Sequence, residues 1–169
     1  MSSSPASVVP TDAAPGAPTL TVEVTRGVCR MLLRHDCIAM AEVPLGDGRR
    51  ADLMALTARG EIVIVEVKTS RADLLGDGKW PDYLQHCDRY FWAVPQGFDL
   101  TPLHRPDFLP DRAGLIVADR YDAAIVREAR TVPLAAATRR KSTLAFARRA
   151  ARRVITLTDP DADGLGWHG

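Results

Sequence analysis

Very little in this chain points to a secreted or membrane-bound protein. Cysteine is scarce: Cys29, Cys37 and Cys87 are the only three. That odd number without C-x-x-C spacing excludes a disulfide framework and a thiolate zinc site, and predicts reduced, mostly buried thiols. Long apolar runs are missing, since no stretch approaches the roughly 20 residues a spanning helix needs. No Lys or Arg occurs in the first twenty positions, so neither a secretory n-region nor an arginine-rich transit segment is expected, and the predicted location is the cytoplasm. Charge excess is missing too. A net charge of +1 neither favours nor opposes a polyanionic partner. What remains, 169 residues with 46% apolar and 25% charged, is the composition of one ordinary globular domain.

Prolines at 5, 10, 15 and 18 among Ser and Ala predict a disordered leader over residues 1–19. Residues 158–169 lack apolar periodicity and predict a flexible tail. Between them, Leu20, Val24, Val28, Met31 and His35 fall at helical spacing. Cys37–Pro44 and Ala51–Leu56 read as strands joined by Gly46-Asp47-Gly48, a composition suited to a tight reversal. In Glu61–Thr69, Val63, Val65 and Val67 alternate with Ile62, Ile64, Glu66 and Lys68. Both faces therefore carry apolar side chains, as in a central strand covered by helices. A short helix follows, with Ser70 and Asp73 at capping-box spacing, then another opened by Pro81. Tyr90–Val94, Gly114–Ala118 and Ala124–Arg127 supply more strands. Leu144, Ala147, Ala151 and Val154 mark a final amphipathic helix from about Thr138 to Leu157, expected to lay that stripe on the sheet. The order predicts an α/β fold over residues 20–157, a mixed central sheet with helices on both faces.

Thirteen residues separate Asp52 from Glu66 and contain the turn Thr57–Gly60. An antiparallel hairpin would bring both carboxylates to one end of the sheet, with Lys68 on the face of Glu66. Two carboxylates about 4 Å apart repel by about 4 kcal/mol at an effective dielectric of about 20. Such a pair needs a proton, a lysine or a divalent cation. Oxygen ligands select a hard ion, so Asp52, Glu66 and the backbone carbonyl of Val67 suit Mg²⁺, with Mn²⁺ acceptable. Water held at such an ion would be the nucleophile, and Lys68 would organise it and stabilise charge on a phosphate. That is the chemistry of phosphodiester hydrolysis.

Asp52 followed by Glu66-Val67-Lys68 at the end of an apolar strand resembles the active-site signature of the PD-(D/E)XK nuclease superfamily. RRADLMAL (Arg49–Leu56), IVEVKTS (Ile64–Ser70), KWPDY (Lys79–Tyr83), CDRYFWAV (Cys87–Val94) and GLIVAD (Gly114–Asp119) resemble, in order, the MmcB-like DNA repair family within it. The likeness spans roughly Thr21 to Ile155. It implies a restriction-endonuclease-like fold and a metal-dependent endonuclease acting on DNA, with Asp52 and Glu66 as metal ligands and Lys68 as the catalytic lysine. Ala51 stands where the superfamily name has proline, a position without a catalytic role. Superfamily members often add an acid from the first helix or strand, which makes Glu42 a further candidate ligand and Glu23 a weaker one.

Three groups of residues are candidates for nucleic-acid contact. Lys79 could touch phosphate and Trp80 or Tyr83 could stack on a base or sugar; the alternative is a helix packing its aromatics on the sheet, which suits Trp80 better. Gln85 resembles a glutamine that some superfamily members direct at the site. Arg139, Arg140, Lys141, Arg148, Arg149, Arg152 and Arg153 place seven positive charges and no acid on the last helix, leaving −6 elsewhere, an asymmetry suited to a DNA face. Asp159 to Gly164 imitates the start of a calcium loop but lacks its closing glutamate. The four histidines have no zinc spacing. Two other readings stay open: a catalytically inactive DNA-binding repair scaffold, and an RNA nuclease. A homodimer cutting both strands is open as well, and no repair partner can be named.

Overall fold

The computed structural model describes residues 19–159, 161 and 162. The expected leader, save Thr19, and most of the expected tail lie outside them. The expected α/β architecture is present. Helix α1 (Leu20–Arg34) leads into β1 (Cys37–Pro44), β2 (Arg50–Thr57) and β3 (Ile62–Val67); the short α2 (Arg71–Gly76) and a 3₁₀ segment, Trp80–His86, precede β4 (Arg89–Pro95). Two 3₁₀ turns separate β4 from β5 (Ala113–Ala118), and β6 (Ala123–Arg127) is followed by the long α3 (Ala136–Thr158). The six strands form one sheet in chain order. β1, β2 and β3 make an antiparallel meander, β3, β4 and β5 run parallel, and β6 returns antiparallel. This mixed sheet is consistent with the restriction-endonuclease-like arrangement that the resemblance implies.

Alternation along β3 builds two cores. Val63, Val65 and Val67 join Leu53, Phe91 and Ile116 beneath α1, whose Val24, Val28, Met31 and Leu32 are buried there. Ile62 and Ile64 join Met54, Tyr90 and Trp92 on the other face. α1 begins where Thr19 Oγ1 accepts the N–H of Val22, with Glu23 in the first turn opposing the helix dipole. The β1–β2 reversal closes through Leu45 N–H to the Arg49 carbonyl at 2.7 Å, with Gly48 at φ +85°, a conformation glycine adopts without strain.

Two expectations fail here. Trp80 is 3% exposed and packs against Tyr90 and Trp92 at centroid distances of 5.2 and 5.0 Å. It is a core residue and cannot stack on a base, because the second face needs a large apolar lid. α3 is also rotated relative to its expected phase. Leu144 and Val154 are 60% and 59% exposed, and Phe146 docks instead, buried with Ala150 packed beside it. Two polar anchors set that phase. Arg139 pairs with the fully buried Asp88, and Arg153 donates to the carbonyl of Ala41 at 2.6 Å.

Candidate active site

The β2–β3 ladder pairs Leu53 with Val65, which makes Asp52 and Glu66 the next opposed positions. There the strands exchange main-chain acceptors for side-chain ones. The Asp52 N–H donates to Glu66 Oε1 at 3.1 Å, and the Val67 N–H donates to Asp52 Oδ2 at 2.8 Å. The expected convergence is therefore met, with each carboxylate pinned by the other's strand. Asp52 Oδ1 and Glu66 Oε2 accept nothing from the described residues.

Glu66 is 4% exposed. Burial first, and then the Asp52 charge, push its carboxyl up to about 8, against the pull of the Asp52 N–H and Lys68. Burial likewise raises Asp52, with the Val67 N–H and Lys68 opposing it. Lys68 follows on the same face and is also buried. Its main-chain N–H continues the parallel ladder to the Ala93 carbonyl. Burial lowers the ammonium's pKa, but Asp77, Asp73 and Glu66 more than offset it, so the net shift is upward and Lys68 stays charged.

Sequence reasoning missed two of these partners. Lys68 Nζ lies 2.9 Å from Asp77 Oδ2 and 3.6 Å from Asp73 Oδ1. Asp73 is visible in the sequence as the residue whose N–H the Ser70 hydroxyl caps. Asp77 sits in Gly76-Asp77-Gly78, a stretch whose glycines suggest only a turn. The signal that could have found both is the lysine itself, because a buried ammonium requires anionic partners. Tyr83, a stacking candidate in the sequence, is half-buried beside the site: its hydroxyl donates to the Arg50 carbonyl, and burial followed by Glu66, Asp77 and Asp52 pushes it up to about 12. The Tyr90 hydroxyl and Trp92 Nε1 are buried on this face without a hydrogen-bond partner among the described residues.

Glu42 lies in β1 between Ala41 and Val43, which pair with Leu53 and Ala51, and so stands across from Asp52. Its φ of +56°, a left-handed value costly for a non-glycine residue, marks a local irregularity. Its carboxylate pairs with Arg50 Nε at 2.5 Å and adds to the field raising Asp52. Glu23 sits on α1, across the sheet from Glu66, beside Arg26, Arg120 and Tyr121.

The outlying candidates divide. Lys79 and Gln85 are exposed at the start and within the 3₁₀ segment. Arg140, Lys141, Arg148 and Arg152 are exposed, and Arg149 is half-buried. Arg139 is not available to phosphate, because it neutralises Asp88, which otherwise would be a buried unpaired charge.

Among the described residues no three His, Cys, Asp or Glu side chains are grouped to enclose a metal ion. Mg²⁺ does not require such a cage; it binds one or two carboxylates and retains water. A buried Glu66 beside a half-buried Asp52, each with one oxygen that accepts nothing from the described residues, fits that demand.

No curated protein matches the chain. A solved structure from Silicibacter pomeroyi, described as the SPO1766 protein of unknown function, is similar at 42% identity and a TM-score of 0.75, over 90% of this chain and 97% of that one. The family model described as DNA repair protein MmcB-like matches residues 10–161, almost the entire sequence, and the protein belongs to that DNA repair family.

Proposed function

We propose that the protein is a metal-dependent endonuclease that hydrolyses DNA phosphodiesters during repair, in the manner of the PD-(D/E)XK nucleases. The carrying observation is the interlocked pair of half-buried Asp52 and buried Glu66 beside a lysine whose ammonium is kept charged. Asp52 and Glu66, with the Val67 carbonyl, would hold Mg²⁺ or Mn²⁺, which when bound supplies Lewis acidity and cancels carboxylate repulsion. Lys68 steadies negative charge on the scissile phosphate and orients water. Asp77 and Asp73 keep its ammonium from swinging onto the carboxylate pair. Glu42 closes the Asp52 side of the site. Lys79 is assigned to the DNA backbone, and Gln85, on the same segment, to the margin of the site.

The test is cleavage of plasmid, nicked, flapped and branched DNA with Mg²⁺ or Mn²⁺. Asp52→Ala and Lys68→Ala should each lower the rate by about 10³-fold or more, with circular dichroism unchanged. Unaltered cleavage in both variants would end the assignment. Binding of every substrate without a cut would make the protein a scaffold, and preferential cutting of competing RNA would make it an RNA nuclease.

A further inference from the structure

α3 carries an amphipathic face that none of the described residues covers. Leu144, Ala147, Ala151, Val154 and Ile155 recur at helical spacing on the side away from Phe146, and all five are exposed. Four of the thirteen large apolar residues that the fold leaves exposed, Leu144, Val154, Ile155 and Leu157, lie on this one helix. The stripe runs about 15 Å from Leu144 to Val154 at about 1.5 Å per residue. Isolated exposed leucines are ordinary; a contiguous row on one helix marks an interaction surface.

One edge of the stripe is charged. Lys141, Arg148 and Arg152 fall at i, i+7 and i+11, in register with it, and all are exposed without an acidic partner among the described residues. DNA would use the cations but would leave the apolar row against water. In an antiparallel two-fold pairing of copies, each cationic row would face itself, at a cost from like charge. The occupant that satisfies both halves is an amphipathic helix with an apolar ridge and acidic residues along one edge. We infer that α3 is the docking face for such an acidic amphipathic helix of a partner protein, laid in helix-to-helix fashion. This inference stands apart from the endonuclease reading, since it uses neither Asp52, Glu66 nor Lys68.

Two synthetic helical peptides test it on the full chain by fluorescence anisotropy, one with a leucine ridge flanked by glutamates and one with the same ridge flanked by lysines. The glutamate peptide should bind and the lysine peptide should not. Leu144→Glu, at an exposed position and checked for an unchanged melt, should weaken the glutamate peptide more than tenfold. Arg148→Glu with Arg152→Glu should reverse the preference. Failure of the glutamate peptide to bind would overturn the inference, as would binding indifferent to Leu144→Glu. Two further results would also overturn it: loss of duplex DNA affinity in Leu144→Glu with peptide binding intact, or a wild-type dimer in sedimentation that the same substitution disperses. Cleavage assays on Leu144→Glu keep this result separate from that of the active site.

Discussion

Gly27 sets how closely α1 can lie on the sheet. A Cβ at this position would stand 2.0 Å from the carbonyl oxygen of Asp119 and 2.5 Å from that of Asp122. Both contacts are to main chain in the β5–β6 turn, so the helix itself would have to lift. Gly27→Ala, which should favour an isolated helix, is expected to destabilise the protein by about 1–3 kcal/mol or more in chemical denaturation. Asp88 is a second such point. Its carboxylate accepts the N–H groups of Ile62 and Leu134 and pairs with Arg139. Burial would raise its pKa, yet Arg139 and those N–H groups hold it below the ordinary carboxylate value. Asp88→Ala strands two N–H donors and should cost on the order of 2–4 kcal/mol by urea titration. Neither role can be read in the sequence. Gly27 sits at an unremarked place in a helical repeat, and Asp88 is one of two adjacent charges, Asp88-Arg89, at the start of a strand; what decides both is a contact between residues far apart in the chain, from Gly27 to Asp119 and from Asp88 to Arg139.

At the scale of elements, the meander and the two-faced β3 were legible because strand alternation is a local property. The sequence limits for β1, Cys37–Pro44, match the structure, and the β2–β3 hairpin brought Asp52 to Glu66 as expected. The helix phase of α3 was not legible. Leu144, Ala147, Ala151 and Val154 form the more regular stripe, and periodicity cannot say which of two apolar-bearing faces docks when Arg139 and Arg153 decide the rotation through Asp88 and Ala41. The contrast is measurable. Phe146→Ala should destabilise by about 3–5 kcal/mol, whereas Leu144→Ala should change stability by no more than about 0.5 kcal/mol. Equal losses from the two would place the helix in its other rotation. Trp80 was ambiguous for a related reason, since an aromatic in a basic segment has the same local sequence whether it faces a base or a core.

For the molecule as a whole, the carboxylate pair makes folding and pH interdependent. Glu66 has an ordinary value of 4.5 and is pushed up to about 8 in the fold, and Asp52 is shifted in the same direction. The folded chain therefore holds more protons than the unfolded chain between those values, and stability falls as pH rises through that window. Without metal, the protein should be more stable near pH 5.5 than near pH 8, by on the order of a few kcal/mol at most, and should melt at a correspondingly higher temperature. Glu66→Gln should flatten most of that slope. Added Mg²⁺ should raise the melting temperature more near pH 8 than near pH 5.5 by differential scanning fluorimetry, because only the deprotonated pair attracts it. A metal effect independent of pH, or surviving in Glu66→Gln, would separate ion binding from this pair.

The exchange of acceptors at the β2–β3 fork has one more consequence. The amide protons of Asp52 and Val67 each end on a carboxylate of the opposite strand, so the backbone carries its own pair of electrical probes. In a ¹H–¹⁵N spectrum these two resonances should move together as protons leave the pair, and move again when a divalent ion arrives. Ordinary ladder amides further along β3 should stay still. The site can thus be watched being charged and discharged without any DNA in the tube.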